Sequence, residues 1–282
     1  MFLDALTDTF IDGIKILPFL FVTYVLMEYI EHKAGSKAER FVKKSGRLGP
    51  VVGSILGVVP QCGFSAAAAN FYAGRIITLG TLISIFLSTS DEMLPILISE
   101  KVSPVLIFQF LGLKIVIGMI AGFVIDLILH RKGKEESEMR IEHMCDHEHC
   151  HCDEQNIFKS ALVHTLQIFA FIVVISFALN ILIAIVGEDK LGSFMTSVPA
   201  LGILLSGLIG LIPNCAASVV ITQLYLEGLL TMGSMMAGLL VGSGIGLVVL
   251  FRVNEDMKEN LKITTMLYVI GIACGFLIDL IL

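Results

Sequence analysis

Polar positions along this chain are few and clustered, and the apolar runs between them approach or exceed the 20 or so residues that about 30 Å of hydrocarbon demands of a helix. Full spans are predicted at Ile14–Ile30, Ile76–Ile98, Val102–His130, Ile157–Val186, Leu229–Arg252 and Ile263–Leu282. Two further apolar stretches, Leu48–Tyr72 and Val198–Tyr225, are interrupted at Pro60 and Pro213. Each side of such a break holds about a dozen residues, and a helix of that length reaches about 18 Å, short of a crossing. These stretches are predicted to form re-entrant hairpins or paired short helices.

The same pattern occurs twice. GVVPQCGFS at Gly57–Ser65 returns as GLIPNCAAS at Gly210–Ser218, and GFVIDLIL at Gly122–Leu129 returns as GFLIDLIL at Gly275–Leu282, both after 153 positions (210 − 57 and 275 − 122). That shift also lays Tyr72 on Tyr225, Thr78 on Thr231, Gly80 on Gly233 and Gly118 on Gly271. Two matched blocks at one spacing identify a duplication. The predicted division is a first membrane repeat at 1–130, a linker at 131–156 and a second membrane repeat at 157–282.

Basic residues decide how the halves face. If both broken stretches return to the side they entered from, one side of the membrane receives Lys33, Lys37, Arg40, Lys43, Lys44, Arg47 and Arg75, and also Arg131, Lys132, Lys134, Arg140, Lys159, Arg252, Lys258 and Lys262. The other side keeps Lys101 and Lys190 beside Glu188 and Asp189. By the positive-inside rule the first side is cytoplasmic. Each half then crosses an odd number of times. The expected fold is an all-α integral membrane protein of two inverted-topology repeats, each with three full spans plus a broken re-entrant helical hairpin, ten helical segments in all. Both termini are expected outside, and the linker in the cytoplasm.

Composition narrows the class. Hydrophobic residues make up 56% and charged residues 16%, too little polar surface for a soluble domain of this length, and the formal net charge is −6. Residues 1–13 are acidic and lack the basic start and cleavage site of a secretory signal, so the first apolar run is expected to stay as a span. The chain has no GxxxxGK[ST] phosphate loop, which leaves an ion gradient or a separate partner as the energy source. A thiol-redox enzyme built on Cys62 and Cys215 would need a CxxC pair or a cofactor fingerprint, and neither occurs. No enzyme activity, nucleic-acid partner or resident cofactor is expected.

Candidate chemistry gathers at the breaks. Each proline removes a backbone donor and is expected to free carbonyls one turn upstream, around Leu56 and Ile209. Irregular backbone at membrane depth survives where it is buried in protein or lines a wet cavity. Gln61 and Cys62 follow the first proline, Asn214 and Cys215 the second, and Ser65 and Ser218 lie three residues beyond the cysteines. Amide and carbonyl oxygens suit a hard cation, thiolates a softer one, and the start of the following half-helix an anion. Ser90, Asp91 and Glu92 sit inside a predicted span, where a carboxylate is costly and by default functional. Lys114 on the next span is the expected charge partner of Asp91 and Glu92, which together would couple ion movement to protons. Glu28, Asp126 and Asp279 are expected to reach toward the interface, Met232, Met235 and Met236 to pack, and Gly238, Gly242, Gly244 and Gly246 to permit close helix contact.

The linker is a different kind of site. Its centre reads HMCDHEHCHCDE, placing His143, Cys145, His147, His149, Cys150, His151 and Cys152 in one short run. Imidazoles and thiolates at this density bind transition metals, zinc or copper above manganese. The run is too short for a second zinc knuckle, so metal capture or sensing is the expected role.

PQCGFS, LSTSDE and PNCAAS, with two similar halves and a His/Cys-rich connection, resemble the ten-transmembrane heavy-metal exporters, a family whose members are described as arsenic-efflux-like permeases or manganese transporters. The resemblance covers nearly the whole chain. It implies export of a metal or metalloid across the inner (plasma) membrane of a prokaryotic cell, and it places the family pattern on Pro60, Gln61, Cys62, Ser65, Ser90, Asp91, Glu92, Pro213, Asn214, Cys215 and Ser218. The expected substrate is a divalent transition-metal cation, manganese first, with arsenite or another small anion as the alternative. The expected partners are that ion and the lipid bilayer, and the sequence leaves room for a homo-oligomer.

Overall fold

The computed structural model describes residues 17, 18, 21, 22, 25, 48–59, 62–90, 93–131, 162, 163, 165, 166, 169, 170, 173, 174, 177, 199–213 and 215–281. Among them run ten helices: α1 (Gly49–Gly57), α2 (Cys62–Ala73), α3 (Leu79–Ser88), α4 (Met93–Ser99), α5 (Pro104–Arg131), α6 (Pro199–Gly210), α7 (Cys215–Leu226), α8 (Met232–Val241), α9 (Gly246–Val253) and α10 (Met257–Ile281). The shift of 153 carries the first residues of α2, α3, α4 and α5 onto those of α7, α8, α9 and α10 (for example 215 − 62 and 257 − 104).

Packing repeats in the same way. In the first set α3 lies against α1 and α5; in the second α8 lies against α6 and α10. Small residues make the approach close. Gly49, Gly53 and Gly57 form one stripe of α1 facing Thr81, Ser84 and Ser88 of α3, the small-residue seam by which membrane helices dock without a hydrophobic drive. Gly238 of α8 fits against Ser206 of α6 and Ile221 of α7, where an added Cβ would lie 2.8 Å and 2.6 Å from their atoms. Met235 and Met236 are fully buried in the core.

Contacts also cross between the sets, with α3 touching both α8 and α10. Helix α2 packs on α9, and α7 packs on α4, so each short helix completes the other half. At the far end of α7, the Tyr225 ring meets Phe110 of α5 edge-on, centroids 5.8 Å apart. At the matching end of α2, the Tyr72 hydroxyl donates to Glu259 of α10 at 2.7 Å.

Among the described residues four stretches are long and apolar enough to cross a bilayer: Leu79–Ser99, Pro104–Leu129, Met232–Val253 and Met257–Ile281. Helices α5 and α10 expose large apolar side chains such as Phe108, Ile120, Val269 and Leu277, as lipid-facing spans do. The other two stretches are buried at the centre, and each is interrupted. Ile76–Ile98 and Leu229–Arg252, expected as full spans, match these two stretches but each holds a break: α3 ends at Ser88 and α4 begins at Met93, while α8 ends at Val241 and α9 begins at Gly246. Gly244 takes φ +54° there, a left-handed turn that glycine enters without steric cost. Each half thus has one discontinuous span in addition to the two short helices flanking its proline.

Asp126 and Asp279 do more than lie near helix ends: each holds the start of a neighbouring helix. Asp126 accepts from the Gly80 amide at 2.8 Å and from the Thr78 hydroxyl at 2.8 Å, and Asp279 accepts from the Gly233 amide and the Thr231 hydroxyl, both at 2.6 Å. Thr78 and Thr231 in turn accept from Thr81 and Ser234 amides as N-caps of α3 and α8. Gly80 and Gly233 make room for this: a Cβ on either would collide with the carbonyl of Gly122 or Gly275. The GFVIDLIL and GFLIDLIL blocks therefore carry a glycine that admits the neighbouring helix start and, one turn on, an aspartate that caps it.

Candidate transport cavity

The site is built at the ends of the interrupted helices. Thr89 closes α3 with its amide bonded to the Ile85 carbonyl and its hydroxyl donating to the same oxygen at 2.8 Å. Ser88 donates to the Ser84 carbonyl at 2.8 Å, and Ser90 to the Ser88 carbonyl at 3.1 Å. These hydroxyls turn back on their own helix, so in this segment they present lone pairs outward. In the second half the Gly242 amide bonds the Gly238 carbonyl at 2.9 Å. The Ser243 hydroxyl, at the position matching Ser90, is buried without a hydrogen-bond partner among the described residues.

A cavity lies between these ends. It is lined by Thr89, Ser90 and Met93 of the first break, Gly242 and Gly244 of the second, and Ala217 and Ser218 at the start of α7, with Gly210, Ile212, Gly238 and Leu239 completing it. About 20 Å³ is open to the centre of a water molecule, room for about one water or a dehydrated ion of similar size. Ser90 and Ser218, chosen from opposite halves of the sequence, thus meet at one cavity. Ser65 does not join them: it is fully buried on α2 against Gly246, where Phe86 also packs. Cys62 and Cys215 are the first residues of α2 and α7. Gln61, Asp91, Glu92 and Asn214 lie outside the described residues, as do the linker residues His143, Cys145, His147, His149, Cys150, His151 and Cys152. Among the described residues no three His, Cys, Asp or Glu side chains come together as a metal site.

The carbonyls expected to be free before each proline are not. Leu56 accepts from the Val59 amide at 3.1 Å and Ile209 from the Ile212 amide at 2.9 Å, so a tightened last turn satisfies them. Carbonyls bonded by a side chain rather than by backbone stand instead at the second pair of breaks. Lys114, fully buried in α5, donates its ammonium to the Thr89 carbonyl at the end of α3 and, at 2.9 Å, to the Leu239 carbonyl at the end of α8. Both acceptors belong to cavity-lining residues. The position matching Lys114 is Leu267, also fully buried, and those matching Asp91 and Glu92 are Gly244 and Ile245. Asp91, Glu92 and Lys114 thus have no charged counterpart in the second half of the sequence.

A second polar cluster ties the halves together away from the cavity. Arg75, between α2 and α3, pairs with Glu259 through Nη2 at 2.8 Å and Nη1 at 3.2 Å. Its guanidinium carbon stands 5.1 Å from the Tyr72 ring centre, and Asn254 donates to Glu259 at 3.2 Å. Burial works against the charge on Arg75, yet the bonds to Glu259 hold its pKa above the ordinary arginine value. Sequence reading placed Arg75 on the basic side but had no signal for its partner, which lies in the other half.

A family model described as "Putative, 10TM heavy-metal exporter" matches residues 1–187, which take in the predicted first repeat, the predicted linker and the predicted span that follows it. No curated protein matches the chain, and no solved structure does. The match covers more than half of the sequence, and the helical, multi-pass architecture agrees with it. The chain belongs to the ten-transmembrane heavy-metal exporter family.

Proposed function

We propose that the protein is a secondary-active transporter that exports a divalent transition-metal cation, manganese first, by alternating access across a prokaryotic inner membrane. One observation carries this reading: the two interrupted spans, one from each repeat, end at a shared buried cavity whose walls include Ser90 and Ser218. Asp91 and Glu92 directly follow Ser90 in the chain, and carboxylate, hydroxyl and amide oxygens suit manganese better than sulfur alone would. The exchange of short helices, α2 onto α9 and α7 onto α4, supports two repeats of inverted topology whose relative rocking exposes the cavity to each side in turn. Protonation of Asp91 and Glu92 on the outer side would release the ion and couple export to the proton gradient. The linker would gather metal on the cytoplasmic side.

The fully buried ammonium of Lys114 beside the cavity favours a second reading, export of arsenite or another small anion. Purified protein in liposomes, challenged with manganese, zinc, cobalt, nickel and arsenite under an imposed pH gradient, separates the two. Manganese flux that Asp91→Asn abolishes without loss of folded protein supports the first reading. Arsenite flux with no response to any divalent cation would replace it with the second.

A further inference from the structure

We infer that Lys114 is a resident cation: its ammonium fills, permanently, the place between the two interrupted spans where a monovalent cation would otherwise have to bind. Helices α3 and α8 end side by side at the cavity, and the C-terminal end of a helix carries partial negative charge on its unpaired carbonyls. Two such ends in a buried place need a donor or a cation. Lys114 supplies both at once, donating to the Thr89 carbonyl of one half and the Leu239 carbonyl of the other from a side chain with no solvent exposure. Because the Thr89 and Leu239 carbonyls come from different halves of the chain, an ammonium bonded to both ties the two breaks together.

The matched place in the fold makes the point by contrast. Shifted by 153, Lys114 becomes Leu267, Leu239 becomes Phe86 and Thr89 becomes Gly242. The Phe86 carbonyl already accepts from the Thr89 amide at 3.4 Å, and the Phe86 ring packs on Gly246. A fully buried apolar leucine stands there, offering no donor. Lys114 is a positioning residue, setting the shape of the cavity through backbone that it holds, and the transporter needs no exchangeable cation at this position.

Chemical rescue tests this. Lys114→Ala opens a space bordered by the two carbonyls, and ethylammonium can enter it with its N–H donors. The variant is expected to melt at lower temperature than the parent, and ethylammonium chloride to restore the melting point with saturable dependence, whereas tetramethylammonium, which has no N–H, does nothing. Lys114→Met fills the volume without a donor; it should melt low and respond to neither salt. In liposomes Lys114→Ala should export about tenfold more slowly or worse, as loss of two bonds to an ammonium implies, with ethylammonium returning the flux. Parental stability in Lys114→Met, or equal effects of the two salts on Lys114→Ala, overturns the inference. The inference rests on the transport reading only for its flux arm: rescue of melting in a protein whose parent moves no ion would sink that reading and leave the resident cation standing.

Discussion

Arg75 and Glu259 meet across the boundary between the repeats in a two-pronged ion pair, and Arg75 reaches it from a left-handed backbone at φ +57°. The matching residue is Gly228, also left-handed at φ +74°, so the turn itself asks for glycine. Holding arginine there costs about 1–3 kcal/mol, which the pair with Glu259, the ring of Tyr72 and the bond from Asn254 offset. Arg75→Gly removes the pair but also the strain, whereas Glu259→Gln keeps the strain and leaves the guanidinium half-buried with a weaker partner. Glu259→Gln is therefore expected to destabilise more than Arg75→Gly, with a coupling between the two sites of about 1 kcal/mol in a double-mutant cycle. Thermal unfolding of the detergent-solubilised variants checks the order; a larger loss in Arg75→Gly would refute it.

The aspartate caps should behave as twins. Asp126→Ala and Asp279→Ala each strip an acceptor from a helix-start amide and a threonine hydroxyl, at a cost of about 1–3 kcal/mol for the groups left unpaired. Asparagine retains one oxygen and should cost less than alanine at both positions. Equal losses for Asn and Ala, or a silent Asp279→Ala beside a damaging Asp126→Ala, would contradict this account of the caps.

Glycine positions separate cleanly by their surroundings. Gly80→Ala drives a methyl into the Gly122 carbonyl and should cost about 1–3 kcal/mol or more as the two helices part. Gly112→Ala, in the interior of α5 with no atom within 4 Å of the added carbon, should raise helix stability by up to about 1 kcal/mol. Melting temperatures of the two variants moving in the same direction would count against the described packing.

Filling the cavity should stop transport without unfolding the protein. Ser218→Phe places a ring where there is room for about one water, and metal flux in liposomes is expected to fall to background while the monodisperse yield stays near that of the parent. Ser65→Ala, away from the cavity, should leave flux largely intact. Wild-type flux through Ser218→Phe would move the permeation path elsewhere.

The linker is expected to bind without being required. Deleting residues 142–154 should slow export at low metal concentration and spare it at high concentration, and a peptide of that sequence should bind zinc more tightly than manganese by the order of affinities at thiolate and imidazole ligands. Titration calorimetry on the peptide and concentration-dependent flux on the deletion check the two halves of the statement.

Reading the chain alone found the duplication, the two short-helix pairs around Pro60 and Pro213, and two of the hydroxyls that share the cavity, because each leaves a local mark: a matched word, a proline, a serine at fixed spacing. It missed the second pair of breaks. Thr89 to Glu92 and Gly242 to Ile245 sit in runs whose average hydropathy suits an unbroken span, and the glycines of the second run read as contact residues when Gly244 in fact turns the chain. The capping by Asp126 and Asp279 was not legible, because hydropathy carries no trace of the Gly80 and Gly233 amides that they hold. Arg75 and Glu259 were illegible for a plainer reason: their partnership depends on how two repeats face one another, and no spacing within either repeat encodes that.

The traded short helices have a consequence for biosynthesis. Helix α2 emerges from the ribosome well before the surface it must cover, α9. Until then the first half waits with a partner missing, and its assembly is completed only when α9 arrives. Two fragments cut within the linker should consequently remain unstable when made alone and recover together, each serving as the other's template.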